Sequence, residues 1–166
     1  GCWLINRGGQ RIEVLAGVVI AADGGASPVA RLAGWPAQDL MPGVQYQVPL
    51  ARPLARTQVF LEPRFLGGYA WLFPKGEVAN LGLGCRIQAQ PWRLLEELRQ
   101  ELLERVVIRP GILALSAGAI PVGGMRKDLI KDEVILCGDA AGLTHPVTGA
   151  GIPQAVFSGA EAGAAA

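Results

Sequence analysis

The stretch LCGDAAGLTHPVTGAGIPQAVFSGAEAG, residues 136–163, decides how the fold of this 166-residue chain is read. It is entered from Glu133-Val134-Ile135-Leu136-Cys137, a short apolar run of the kind that fills a buried strand of a parallel sheet. The run passes directly into Gly138-Asp139. Ligands of open α/β sheets bind at the carboxyl ends of such strands. A carboxylate there can accept hydrogen bonds from ribose or ribityl hydroxyls, and small neighbours let a large ligand approach the backbone. Thr148, Gly149, Ala150 and Gly151 then precede a helix with Ile152-Pro153 at its start. A helix N-terminus presents free N–H groups and positive dipole character, which suits a pyrophosphate or another anionic group. Ala155, Ser158, Gly159, Ala162 and Gly163 keep that helix narrow enough for close packing. The plainer reading of the same residues is a glycine-rich turn ahead of a core helix.

A second strand end has the same form. Val18-Val19-Ile20-Ala21-Ala22 is a continuous apolar run that stops at Asp23-Gly24. Ser27 is placed to cap a short helix, with Pro28 at its first position. The middle of the chain reads differently. Residues 34–43 read as loop, and 44–50, 56–62, 69–73 and 78–84 as strands joined by antiparallel hairpins. In Tyr69-Ala70-Trp71-Leu72-Phe73 the aromatics alternate at period two, so they share one strand face. Ordinary sheet packing would produce the same alternation. Residues 91–107 carry a helical stripe of Leu95, Leu98, Leu102 and Val106, with Glu101 and Arg105 spaced for an i,i+4 pair.

Composition narrows the function classes. Hydrophobic residues are 51% and charged residues 17%, so the chain is apolar for a globular domain. Net charge is +1, and Arg126-Lys127 with Lys131 is broken by Asp128 and Asp132, which argues against nucleic-acid binding. The three cysteines, Cys2, Cys85 and Cys137, are far apart and, with one histidine, form no metal-ligand set. Cys137 reads as a buried thiol and a reducing cytoplasm as its compartment. There is no apolar run long enough to span a bilayer. Gly1 and the helical ending at Ala166 read as cut ends.

These motifs, taken together, carry a resemblance. Residues 136–163 resemble the second flavin-binding motif of the para-hydroxybenzoate-hydroxylase-like flavoproteins, and VVIAADGGASPVAR, residues 18–31, resembles their central DG motif. GGYAWLFPKGEVANLGLG, residues 67–84, resembles the YxWxFPK…NxGxG signature of geranylgeranyl reductases, through Tyr69, Trp71, Phe73, Pro74, Lys75, Asn80, Gly82 and Gly84. Residues 85–132 match only loosely. The resemblance implies an α/β fold: a partial FAD-binding Rossmann-like domain with an inserted antiparallel-sheet substrate domain. Residues 1–34 and 121–166 would belong to the former and 35–120 to the latter.

The roles that follow from the resemblance are specific. Gly138 and Asp139 would meet the ribityl or pyrophosphate region of FAD. Gly149, Ala150, Gly151 and Ile152 would lie near the isoalloxazine edge. Asp23 and Gly24 would brace the turn beside the cofactor, and Tyr69, Trp71 and Phe73 would line the substrate side. His145 and Tyr69 are the candidate proton donors, although an unperturbed phenol is a poor acid at neutral pH. NAD(P)H or a ferredoxin would supply electrons. The substrate would be an isoprenoid or polyprenyl lipid, met in the cytoplasm or at the membrane periphery. The GxGxxG segment that holds the ADP half of FAD in this family does not occur in the sequence, so the chain is expected to be a piece that binds FAD poorly by itself. The alternatives are a flavin monooxygenase on the same scaffold and a noncatalytic lipid-binding remnant.

Overall fold

The computed structural model describes residues 2–145 and 148–166, with the backbone alone for Cys2–Arg7. The Pro146-Val147 step of the loop and the thiol of Cys2 therefore lie outside the described residues. In chain order the elements are β1 (Cys2–Arg7), β2 (Gln10–Leu15), β3 (Val19–Ala21), α1 (Pro28–Leu32), β4 (Leu40–Pro49), β5 (Gln58–Phe60), β6 (Tyr69–Lys75) and β7 (Val78–Gly84). They continue with α2 (Pro91–Glu104), β8 (Ala114–Pro121), β9 (Ile130–Lys131), β10 (Val134–Leu136) and α3 (Ile152–Ala165). The architecture is mixed α/β, a Rossmann-like part with an antiparallel sheet inserted into it. The chain forms two units, residues 1–40 with 121–166, and residues 41–120.

In the first unit β3 and β10 pair in parallel, Val19 opposite Val134 and Ala21 opposite Leu136, with β9 antiparallel on the far side of β10. Both apolar runs are thus neighbouring strands whose carboxyl ends lie side by side. Ala21, Ala30, Trp35, Val134, Leu136 and Ala141 form the core beneath them. The Ser27 hydroxyl caps α1, accepting from the Ala30 N–H at 2.9 Å. Residues 35–40, read from sequence as the start of the middle section, belong here because Trp35 is buried in this core.

The second unit holds a five-stranded sheet in the order β5-β6-β7-β4-β8. Alternate residues of three strands, among them Val44, Tyr46, Val48, Leu72, Leu81 and Leu83, point to one side and are buried. Leu94, Leu95, Leu98 and Leu102 of α2 cover them. Burial of these apolar side chains is the main stabilising term for this unit, at about 1.5–3 kcal/mol each. The expected loop at 40–43 is the first part of β4, while the strand expected at 56–62 shrinks to Gln58–Phe60.

The far end of α2 also differs from expectation. The helix stops at Glu104, Val106 sits at φ 55, and its side chain is 70% exposed, so it leaves the apolar stripe. Glu101 turns to Arg64, with Arg64 Nη2 2.9 Å from Glu101 Oε2 and a second, parallel contact from Nη1. Arg105 is left as the helix C-cap. A guanidinium fork matches two carboxylate oxygens at once, which a single i,i+4 contact does not.

The hydrogen bond from Arg64 holds the Glu101 carboxyl below its ordinary value of 4.5. The hydrogen bond from Arg99 does the same for Glu96. A depressed folded value means the contribution is complete above the unfolded value and is lost as pH falls through the folded one. Acid melting of this unit should therefore begin at pH values near and below 4.5. Glu101→Gln should flatten that dependence, changing stability at neutral pH by about 1 kcal/mol or less because the pair is partly solvent-screened. Thermal melting as a function of pH checks this; an identical slope in wild type and variant would contradict it.

Candidate functional site

The turn after β10 is the most tightly specified backbone in the first unit. Residues 138–141 make one 3₁₀ turn, closed by Gly142 in the left-handed region at φ 74. Gly138 also has positive φ, and its N–H donates to the Ser158 hydroxyl at 2.9 Å, which ties the turn to α3. A β-carbon at Gly138 would meet that of Ala155 at 3.2 Å. The small residues of α3 thus let helix and turn approach closely.

Asp139 stands at the start of this turn, half-exposed. Its Oδ1 accepts from the buried Thr144 hydroxyl at 2.6 Å, which fixes the carboxylate. A β-carbon at Gly151 would lie 3.1 Å from Asp139 Oδ1, a tight contact that would push the carboxylate back by a few tenths of an ångström. The first helical bond of α3 runs from the Ala155 N–H to the Gly151 carbonyl. The amides of Ile152 and Gln154 precede it and have no intrahelical acceptor. Gly149 and Ala150 are exposed. The loop before α3 closes on itself: the His145 N–H donates to Ala150 O and the Gly149 N–H to His145 O, both at 2.9 Å. The His145 ring joins in, its Nδ1 accepting from the Thr148 N–H at 3.2 Å.

Asp23 behaves differently. Its Oδ1 accepts from the Ser27 hydroxyl at 2.6 Å and its Oδ2 from the Val29 N–H at 2.9 Å. Both oxygens are engaged at the start of α1, so the residue braces its own turn. Gly24, at φ +85, supplies the left-handed step that the turn requires.

Two residues given no role by the sequence reading join these turns. The side-chain amide of Gln38 donates to Gly25 O at 2.9 Å and to Asp139 O at 2.8 Å. Arg126 Nε donates to Ala140 O at 2.9 Å and its backbone N–H to Ala141 O at 3.0 Å. Burial lowers the Arg126 guanidinium from its ordinary value. Gln38 and Arg126 also line a cavity of about 430 Å³ between residues 35–39 and 123–128. A lone polar residue in a loop carries no sequence signal for such a task. Arg126 was visible only as one member of a broken basic cluster.

In the second unit Tyr69, Trp71 and Phe73 project from the face of the sheet opposite α2. Successive ring centroids are 5.8 Å apart, with Trp71 stacked on Phe73 at 24° and edge-on to Tyr69 at 63°. Trp71 and Gln45 both lie opposite Gly82, on either side of it. The indole passes over Gly82 and donates from Nε1 to Gln45 Oε1 at 3.1 Å. Burial pushes the Tyr69 phenol above its ordinary 10.0, further from acid chemistry at neutral pH.

The first unit combines a fixed, half-exposed carboxylate, small residues that permit close approach, and a helix N-terminus beside them. That donor and acceptor set fits FAD, which offers hydroxyls to the acid and electron-rich groups to the amides. The second unit offers an apolar ring stack on one face of its sheet. Among the described residues no group of His, Cys, Asp and Glu could hold a metal ion, and no helix is long and apolar enough to cross a membrane.

No family model matches the chain. A digeranylgeranylglycerophospholipid reductase from Methanosphaera stadtmanae is 33% identical over 95% of this chain and 42% of its own length. The crystal structure of a geranylgeranyl bacteriochlorophyll reductase-like protein from Thermoplasma acidophilum superposes with TM-score 0.82, at 29% identity over 94% of this chain and 42% of that one. A probable FAD-dependent monooxygenase from Pseudomonas aeruginosa superposes with TM-score 0.61, at 27% identity over 89% of this chain and 45% of that one. The chain spans about two fifths of the length of the curated relatives it matches.

Proposed function

The chain belongs to the geranylgeranyl reductase family of FAD-dependent oxidoreductases, and from that premise we propose that the whole protein reduces carbon–carbon double bonds of an isoprenoid lipid. The observation that carries the reading is the identity with a digeranylgeranylglycerophospholipid reductase along nearly the whole chain. The sites fit it. Bound FAD would supply the hydride for an unactivated alkene, chemistry that no side chain provides.

The chain's own residues bind, orient and exclude water. Asp139 would hold the ribityl or pyrophosphate region of FAD, with Thr144 fixing its Oδ1. Gly149, Ala150, Gly151 and Ile152, where α3 begins, would hold the isoalloxazine edge, and Gly138 would give the backbone close approach. Asp23 and Gly24 brace the neighbouring turn. Tyr69, Trp71 and Phe73 hold the hydrocarbon chain and keep water from it. His145 shapes the loop before α3 through its Nδ1 contact, and Tyr69, its phenol made less acidic by burial, is the weaker of the two candidate proton donors. The electron source is NAD(P)H or a ferredoxin. The protein works in the cytoplasm at the membrane periphery, where a lipid substrate resides and where a charged share of 17% is no handicap.

Product analysis tests this reading against the monooxygenase one. Incubated with FAD, a chemical reductant and a geranylgeranyl lipid, the full-length protein should add two hydrogens per reduced double bond without consuming oxygen. A product that gains oxygen, with matching oxygen uptake, would establish hydroxylation instead.

A further inference from the structure

We infer that Gln38 and Arg126 are positioning residues for the cofactor, a two-armed clamp that sets the backbone of the Gly138–Gly142 turn from behind. The inference rests on the FAD reading of that turn. In this single 3₁₀ turn the Gly142 N–H donates to Asp139 O at 3.1 Å and the Leu143 N–H to Gly138 O at 3.2 Å, while the carbonyls of Ala140 and Ala141 look to donors outside the turn. Here Asp139 O accepts from Gln38 Nε2 at 2.8 Å, Ala140 O from Arg126 Nε at 2.9 Å, and Ala141 O from the Arg126 N–H at 3.0 Å. Three successive carbonyls are therefore engaged by two residues from distant parts of the sequence, Gln38 as a second donor beside the Gly142 N–H and Arg126 as the donor to the last two.

Each side chain makes a further contact. The same Gln38 Nε2 also donates to Gly25 O at 2.9 Å, and Arg126 Nη1 donates to Pro36 O at 2.6 Å. Gln38 thereby couples the turn after Asp23 to the turn at Asp139, and one side-chain amide sets the spacing of two loops with candidate cofactor residues. Gly142 completes the fit: its Cα leaves so little room that a β-carbon would lie 2.7 Å from Gln38 Oε1. None of these contacts consumes the Asp139 carboxylate, whose Oδ1 is held by Thr144. The clamp acts on the backbone beneath the carboxylate and leaves the acid free for the ligand.

The test is FAD affinity of the full-length apoprotein, measured by quenching of flavin fluorescence, beside apoprotein melting and the visible spectrum of bound flavin. Gln38→Leu keeps the bulk and removes both donors; it should weaken FAD binding by about tenfold, as loss of one or two hydrogen bonds to a preorganised site would. Gln38→Glu should bind weakly at neutral pH and recover as pH is lowered, because only the protonated carboxyl can donate to Asp139 O. Gln38→Leu should show no such recovery. Arg126→Met, a second variant acting on the neighbouring carbonyl, should weaken binding and alter the flavin spectrum in the same direction. Lowered melting with wild-type FAD affinity and spectrum in the Gln38 and Arg126 variants would assign them a merely structural role and overturn the inference. Failure of the wild-type protein to bind FAD would instead overturn the cofactor reading, and the inference with it.

Discussion

Alanine at position 142 is expected to cost the full-length protein its FAD. Gly142 ends the Gly138–Ala141 turn at φ 74, where a β-carbon raises the energy by about 1–2 kcal/mol before any contact is considered. The contacts are worse. That carbon would lie 2.4 Å from the Gly124 carbonyl oxygen, a backbone atom that cannot swing aside, and 2.7 Å from Gln38 Oε1. The turn must open, and Asp139 moves with it. The FAD dissociation constant should rise by about a hundredfold or more, the equivalent of about 2.7 kcal/mol. Gly159→Ala is the matching control: Gly159 lies within α3, has nothing within 4 Å of the added carbon, and should leave affinity unchanged. Helix propensity makes that substitution neutral or slightly stabilising. Equal affinity in the Gly142 and Gly159 variants would show that the turn is not part of the cofactor site.

The second large effect is expected on the aromatic face. In Gly82→Ala the new carbon would stand 2.5 Å from Trp71 Cζ2 and 2.8 Å from its Nε1. The ring has to lift off the strand it crosses. It then loses its hydrogen bond to Gln45 and its stacking on Phe73, so two of the three aromatic surfaces are disturbed by one methyl group. The KM for a geranylgeranyl lipid should rise by about tenfold, the scale of one or two disrupted apolar contacts, while FAD affinity stays at the wild-type value. Trp71 fluorescence should shift as the ring becomes wetter. A changed FAD affinity with an unchanged KM would place the aromatic face outside the substrate site.

Much of this was legible in the sequence because it depends on local pattern. Apolar runs ending in Asp-Gly or Gly-Asp specify strands with carboxylates at their ends, and β3 and β10 are such a parallel pair. Period-two alternation placed Tyr69, Trp71 and Phe73 on one face. What escaped depends on contacts between distant residues. The clamp of Gln38 joins positions 13 and 101 residues away, and no spacing rule reaches that far. The fork between Arg64 and Glu101 overrode a correctly spaced helical pair for the same reason. Asp23 and Asp139 look alike as strand-end acids. They differ only in their partners: one has both oxygens bound to its own helix, the other has one held by Thr144.

The proposal that this chain is part of an isoprenoid-reducing flavoprotein is tested by an anaerobic single turnover. The full-length protein is loaded with FAD, photoreduced, and mixed with a geranylgeranyl lipid while the oxidised-flavin absorbance is followed. That absorbance should return rapidly only when the lipid is present, in step with a product heavier by two hydrogens. Reduced flavin that stays reduced with lipids of every head group tried, yet reoxidises at once when oxygen is admitted, would contradict it.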